Sequence, residues 1–334
     1  MEIGSIKYVD LRNSLGIAAA TLHDLCKKEK IETYPLQNSG LGKVIQSIDA
    51  RKILLKRGFQ YPVRAKIISF IMCKGGVGKT TSAFFTAIRL SNYGAKVLLI
   101  DGDPQGNLTS SFHLEQLGFT IDEETPVLSD IYSDKCLLSE SILKVTEQLD
   151  ILPSTPMNAN LESVFREKCK NPSKPIKRLL QPVMKKYDFI IIDCAPSLNL
   201  TNSIFMLGSD ELILPVNPDS YSKIGLDQTL KEITMLSNDF PEWSKVRIRI
   251  LFTRYDAREY TSLKYLSDIA ENHADSLFRT TIRTSTSFKN AIDKGENLFT
   301  AKKSHAKEDY DALAKEIMGL NTIVKRSQAG TLDG

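Results

Sequence analysis

The 334-residue sequence predicts an α/β fold, a mostly parallel sheet covered by helices on both faces, preceded by a small α-helical module. Three observations predict it. Short β-branched apolar runs recur along the chain, helical patterns fall between them, and the first 66 residues differ in charge from the rest. Strands alternating with helices are βαβ units, whose sheet is parallel and buried on both faces. Residues 1–66 hold 12 Lys/Arg against 6 Asp/Glu, although the whole chain nets only +4. A basic block ahead of a near-neutral body reads as an appended module that meets a polyanion.

Within that block, Val9–Leu15 and Ala18–Lys28 read as helices with Gly16 at the turn, and Leu11, Leu15, Leu22 and Leu25 fall at core spacings. This is helix-turn-helix spacing. Asn38–Lys43 reads as a wing and Ser47–Arg57 as a third helix, an arrangement similar to MerR-like winged modules. Residues 1–60 are then a helix-turn-helix DNA-binding module, with His23, Lys27 and Lys43 facing DNA. A helical hairpin for dimerisation, with His23 as a buried structural histidine, is the alternative.

The helical pattern stops over Gly58–Arg64, and Lys66–Met72 is the first buried strand of the body. A helix follows over Thr80–Tyr93, closed by Gly94. Further strands read over Lys96–Ile100, Phe189–Ile192, Glu211–Val216 and Val246–Phe252. Helices read over Leu161–Lys168, Ile176–Lys186, Ser222–Leu236, Ser262–Asn272 and Glu308–Met318. The body thus occupies residues 61–325, and 326–334 is a polar, flexible tail.

Composition excludes several classes. A hydrophobic fraction of 42% and a charged fraction of 25% rule out disordered and collagen-like chains. No apolar run approaches the roughly 18 residues of a membrane helix, and no export signal is expected. The five cysteines, Cys26, Cys73, Cys136, Cys169 and Cys194, are scattered without a C-x-x-C pair. That argues against a disulfide framework or zinc site and fits a reducing, cytoplasmic setting.

The strongest chemical signal is Lys74–Thr81, KGGVGKTT, between a predicted strand and a predicted helix. This is the context of a P-loop. Gly75, Gly76 and Gly78 allow backbone conformations closed to other residues, so the N–H groups of Lys74 through Thr81, Val77 included, can cradle phosphate. Lys79 can reach the β- and γ-phosphates of ATP, and the Thr80 hydroxyl can hold Mg²⁺. Leu98–Asn107, LLIDGDPQGN, delivers Asp101 and Asp103 at a strand's C-terminal end, where open α/β sheets bind ligands. Paired carboxylates beside a phosphate loop suit metal holding and water orientation, although Asp-Pro alone also marks a turn. Phe189–Pro196, FIIIDCAP, ends an apolar strand in Asp193, placed to bind Mg²⁺ through water. Cys194 reads as a small packed residue.

A second lysine, Lys74, stands in the loop one place after the position where the strict pattern has glycine. KGGVGKTT resembles the deviant Walker A loop of the ParA/MinD family of dimeric P-loop NTPases. The resemblance implies that Lys74 reaches across a homodimer to the partner's nucleotide. It also implies that Asp103 orients the attacking water, and that Asp101 and Asp193 support the Mg²⁺ shell. LPVNPDSYSKIGL resembles the family loop that brackets adenine, which would assign Pro215, Val216, Asn217 and Pro218 to the base. LFTRYDAR and the helix at Tyr310–Ile317 extend the resemblance over about residues 66–320.

Partition members of the family bind DNA non-specifically through basic residues near the C-terminus. Arg258 matches one such position; at another the family arginine is replaced by Ser287. Residues 279–307 are nonetheless basic, and Arg283, Lys289, Lys302 and Lys303 are the candidate contacts, with a plain solvated face as the alternative. The expectation is an ATP- and Mg²⁺-dependent partition ATPase, nucleoid-associated, whose dimer binds DNA and is released by hydrolysis stimulated by a ParB-like centromere-binding protein. The N-terminal module would bind operator DNA. Three rivals stand beside it. One is a transcription regulator with ATP as ligand. Another is a MinD-like ATPase at a membrane surface, for which Leu320–Arg326 is too short an amphipathic segment. A biosynthetic P-loop enzyme would need a substrate site that no Ser/Cys/His triad supplies.

Overall fold

The computed structural model describes residues 3–36, 42–243, 245–300 and 304–320. The N-terminal module consists of β1 (Ser5–Lys7), α1 (Tyr8–Leu15), α2 (Ala19–Lys28), β2 (Tyr34–Pro35), β3 (Lys43–Gln46) and α3 (Ser47–Lys56). Gly16 ends α1 in the left-handed conformation, at φ 64°, as a turn between two helices requires. The module is not purely helical: its strands pair antiparallel in the order β1–β3–β2. At two to four residues each, such strands are too short for an apolar alternation to betray them. The expected wing corresponds to the β2–β3 hairpin, but residues 37–41 at its tip lie outside the described residues.

The body continues with β4 (Lys66–Phe70), α4 (Lys79–Asn92), β5 (Val97–Asp101), α5 (Asn107–Ser110), α6 (Leu128–Tyr132), α7 (Leu138–Ser141), β6 (Leu143–Lys144) and β7 (Leu149–Leu152). Then come α8 (Leu161–Lys168), α9 (Pro175–Leu180), β8 (Phe189–Asp193), α10 (Leu200–Gly208), β9 (Glu211–Val216) and α11 (Ser220–Asp239). The last elements are β10 (Arg247–Phe252), α12 (Tyr260–His273), α13 (Ser287–Asp293) and α14 (His305–Met318). Among the described residues the main sheet has the order β10–β9–β4–β8–β5–β7–β6. All its pairs are parallel except β6–β7.

Strand alternation sorts side chains into two cores. Ile68, Phe70, Leu99 and Ile191 face α4 and α14, whereas Ile67, Leu98, Ile190 and Ile192 face the layer of α8, α10 and α11. The first core does not stop at the body. It runs on into the N-terminal module through Ile6, Leu11, Ile45, Ile53 and Leu54. Arg51 of α3 donates to the Gly94 carbonyl and pairs with Asp188 at 2.5 Å, and Tyr61 donates to the Tyr93 carbonyl at 2.6 Å.

The deepest link is Arg89 near the end of α4. Its side chain is fully buried, 3.2 Å from Asp10 of α1 and 2.5 Å from Asp311 of α14. The Tyr93 hydroxyl bridges Asp311 at 2.7 Å and Ser14 at 2.6 Å, and Lys307 approaches Asp10 at 3.0 Å. Every charge in this buried cluster has an opposite partner, the condition under which burial is tolerated.

Candidate nucleotide-binding site

The site forms where parallel strands end. Register places Asp193 beside Phe70 on one side and Asp101 on the other, so β4, β8 and β5 finish at one level. The loop after β4 turns into α4 with Gly76 at φ 73° and Gly78 at φ 91°. Both values lie in the left-handed region, which glycine enters without steric cost. Gly78 is the residue that caps α4, so the helix N-terminus opens directly onto the loop. Gly75 and Gly76 are exposed, Thr80 and Thr81 half-buried. Val77 is buried, and its carbonyl accepts from the Thr253 hydroxyl at 3.0 Å.

Lys79 is buried, and its ammonium donates to the Lys74 carbonyl at 3.1 Å. Burial lowers its pKa, with Asp193 opposing. Lys74 has a different posture. Its Nζ donates to Asp219 at 2.6 Å and to the Ser222 hydroxyl at 2.9 Å, and lies 5.7 Å from the Tyr221 ring centre. Asp219 is the N-cap of α11; burial acts to raise its pKa, but hydrogen bonds from Lys74 and Ser222 hold it below the ordinary value. The two loop lysines therefore serve separate places, one inside the loop and one on its rim.

The three carboxylates also differ. Asp193 is fully buried, and neither oxygen has a hydrogen-bond partner of good geometry among the described residues. Burial drives its pKa well up, Asp101 adds to the rise, and the nearby Thr80 hydroxyl and Lys79 oppose it. Asp101 is saturated instead. Its oxygens accept from the Thr109 N–H at 2.9 Å, the Thr109 hydroxyl at 2.7 Å and the Asp103 N–H at 3.2 Å. Burial raises it to about 6, against those hydrogen bonds. Asp101 thus anchors the loop that carries Asp103, and any part it takes at a metal ion would be as support behind Asp193. Asp103 itself accepts from the Gln105 N–H at 3.0 Å, so it makes the turn while remaining beside Lys79 and Asp193.

The expected base-binding segment divides between strand and loop. Pro215 and Val216 belong to β9, are buried, and pair with Leu251 and Phe252 of β10. Only Asn217 and Pro218 stand beyond the strand. Asn217 donates to the Gly76 carbonyl at 3.4 Å and accepts from the Thr253 hydroxyl at 2.9 Å. Thr253 was not singled out by sequence, yet it ties the ends of β9 and β10 to the P-loop. Beside it, Arg254 holds φ 53°, rare for a residue with a side chain. Arg254, Thr81, Gly78, Phe288 and Lys289 line a cavity of about 480 Å³ next to the loop.

The candidate DNA contacts scatter. Arg258 is exposed but held by Asp256 through two hydrogen bonds, at 2.9 and 2.6 Å. Arg283 is occupied by Asp309 at 2.5 Å and faces Glu308 and His305. Lys289 belongs to the cavity just described, and Lys302 and Lys303 lie outside the described residues. In the N-terminal module His23 is exposed, which removes the buried structural role. His23, Lys27 and Lys43 line one surface cavity with Tyr8 and Ala19. No helix among the described residues is long and apolar enough to cross a membrane, and the segment after Leu320 lies outside them.

Comparison with known proteins agrees with this geometry. A family model described as an AAA domain matches residues 65–248. The sporulation initiation inhibitor protein Soj of Bacillus subtilis is 32% identical over 260 residues, 75% of this chain and 98% of Soj. The chromosome partitioning protein ParA of Myxococcus xanthus is 28% identical over 262 residues, 77% of this chain and 89% of that protein. Among solved structures, a plasmid partition protein of Borrelia burgdorferi bound to AMPPNP superposes with a TM-score of 0.65 at 28% identity, covering 77% of this chain and 99% of that one. With the two-lysine loop and a match spanning nearly all of Soj, the chain belongs to the ParA/Soj family of P-loop partition ATPases.

Proposed function

We propose that this chain is an ATP-driven DNA partition protein: ATP and Mg²⁺ close two copies into a sandwich dimer, and hydrolysis opens it. The observation that carries the reading is Lys74. Its side chain turns away from its own loop and sits on the rim, 27% exposed and latched to Asp219 and Ser222 of α11. Exposed apolar side chains flank it, with Leu198 at 40%, Ile224 at 53% and Tyr221 at 74%. Such residues around a phosphate loop suit a second copy closing over it.

Within each half, the loop amides and Lys79 bind the phosphates, Asn217 and Pro218 border the base, and Asp103 orients the attacking water. The orphaned oxygens of Asp193 and the Thr80 hydroxyl fit Mg²⁺, which supplies charge neutralisation at the phosphates. The closed dimer binds bulk DNA, and a ParB-like centromere-binding partner stimulates hydrolysis and release. Repeated cycles segregate plasmid or chromosome copies. The N-terminal module binds operator DNA through the α2 face that carries His23 and Lys27, which would let the protein repress its own operon.

Lys74→Ala is the test. It should leave ATP affinity within about threefold of wild type, a change of roughly 0.7 kcal/mol. ATP-dependent dimerisation and turnover should be lost. Light scattering with ATP and single-turnover hydrolysis read both. A Lys74→Ala protein that dimerises like wild type refutes the sandwich mechanism.

A further inference from the structure

The connection from α8 to β8 is more cationic than the C-terminal region discussed above. Residues 166–186 hold eight Lys/Arg against one Glu. Three of the eight are paired: Arg166 with Glu162 at 2.6 Å, Lys168 with Asp134 at 2.5 Å and Lys186 with Asp150 at 3.4 Å. Lys170, Lys174, Lys177, Arg178 and Lys185 are exposed, and their side chains make no hydrogen bond or ion pair among the described residues. Arg258 and Arg283 are the opposite case, since carboxylates already hold both. Lys168, Lys170, Lys174 and Arg178 converge on one cavity of about 480 Å³, beside Asn171 and Cys169.

Topology fixes the place. The segment leads into the N-terminal end of β8, so it lies at the end of the sheet opposite the P-loop. The N-terminal module docks at that same end, where Arg51 meets Asp188 and Gly94. The connection between them is direct. The Ala65 N–H donates to the Met184 carbonyl at 2.8 Å, which sets the exposed Arg64, itself 3.5 Å from Asp210, alongside Lys185. Arg57, also exposed, continues the positive charge back to α3.

The nature of the surface selects its occupant. A protein-docking patch centres on desolvated apolar or aromatic anchors. None of the exposed large apolar residues falls between 166 and 186. Ile131, Tyr132 and Leu179 line the floor of the cavity without being exposed, and the hydrated cations around it suit a phosphate backbone, whose binding is driven by counterion release. We propose that residues 166–186 form a DNA-backbone contact that carries the N-terminal module's DNA path onto the ATPase body, at the pole opposite the nucleotide. The choice of DNA rests on the function proposed above; the place of the surface does not.

The test uses the full chain, without nucleotide, and a short random-sequence duplex followed by fluorescence anisotropy. Joint Lys170→Glu, Lys174→Glu and Arg178→Glu substitution should weaken binding by about tenfold or more. It should also flatten the log–log salt slope by roughly 0.9 for each phosphate no longer neutralised. The corresponding Gln substitutions should give an intermediate loss with an unchanged melting temperature. In the unmodified protein, duplex should protect Lys170 and Lys174 from acetylation, read by mass spectrometry. Wild-type affinity and slope in the Glu variant, or no protection of those lysines, overturns the proposal. So does a polyglutamate peptide that protects them at lower concentration than the duplex, which assigns the surface to an acidic protein. A parallel arm with ATP separates the two readings. If ATP adds no DNA affinity in wild type while the nucleotide-free loss is seen, the partition mechanism fails and this surface stands.

Discussion

Asp193 sets folding and chemistry against each other. A fully buried carboxylate with no hydrogen-bond partner of good geometry is expensive to ionise. Its folded pKa is raised, so the stability linked to its protonation is present below the ordinary carboxylate range and lost as pH rises through the folded value. Asp101, raised to about 6, acts in the same direction over pH 4 to 6, where two pKa units amount to roughly 3 kcal/mol. Nucleotide-free protein should therefore lose stability as pH rises from about 4 through 6, with Asp193 extending the loss upward. Asp193→Asn should flatten that loss and stabilise the protein at pH 8 by about 1–3 kcal/mol. It should also abolish the rise in melting temperature that Mg²⁺ and ATP together give wild type. Calorimetry across pH, with and without Mg²⁺ and ATP, checks both. An Asn variant less stable than wild type at pH 8 would mean that Asp193 is satisfied in a way the geometry does not show. Sequence identified Asp193 because an acid ending an apolar strand is a local pattern. The anchoring of Asp101 was not legible, since Thr109 reaches that carboxylate only through the fold of the following loop.

Helix α4 shows how much an element discloses and where it stops. Its start was legible in glycines and a threonine pair, and its end in Gly94. Those are short-range signals that operate within one turn. What Gly94 does beyond ending the helix was not legible. It sits at φ +78°, and a Cβ there would stand 2.6 Å from both the Cβ and the backbone nitrogen of Arg51. The residue therefore closes the helix and admits the N-terminal module. Gly94→Ala should cost about 2 kcal/mol or more, through backbone strain and a clash that only backbone movement relieves. Urea unfolding measures it, and a destabilisation under about 0.5 kcal/mol would show that the module's docking is loose. The strands β4, β5, β8, β9 and β10 of the parallel sheet were read to within a residue or two, because burial on both faces makes them continuous apolar runs. The strands β1, β2, β3, β6 and β7 were missed because two to four residues carry no period. The strand β9 was read with its observed bounds, so Pro215 and Val216 of the expected base-binding segment lie within it.

At the scale of the molecule, residues 3–56 share a core with the body, and deleting them would uncover Arg89, Tyr93 and Asp311. Point substitutions are the way to separate the two parts. Asp10→Ala leaves Arg89 paired with Asp311 and should cost about 1.5–3 kcal/mol, the range for losing a hydrogen bond to a charged group. Its more informative effect is on coupling. ATP should change the affinity of the N-terminal module for DNA selected from a random-sequence library. Linkage then requires the selected DNA to change ATP affinity by the same factor. Titration calorimetry of ATP, with and without that DNA, measures the factor in wild type and in Asp10→Ala, where it should shrink towards one. A factor of one in wild type would mean that the two ends act alone. The reason to expect more lies in α4. Its 14 residues make a rod of about 21 Å, with the phosphate loop at one end and the clamped Arg89 near the other. A rod gripped at both ends transmits displacement without damping, as a pushrod does. A tilt of its loop end on nucleotide binding would reach the end that holds the N-terminal module within the same stroke, so DNA held by that module would become a load against which each ATP cycle works.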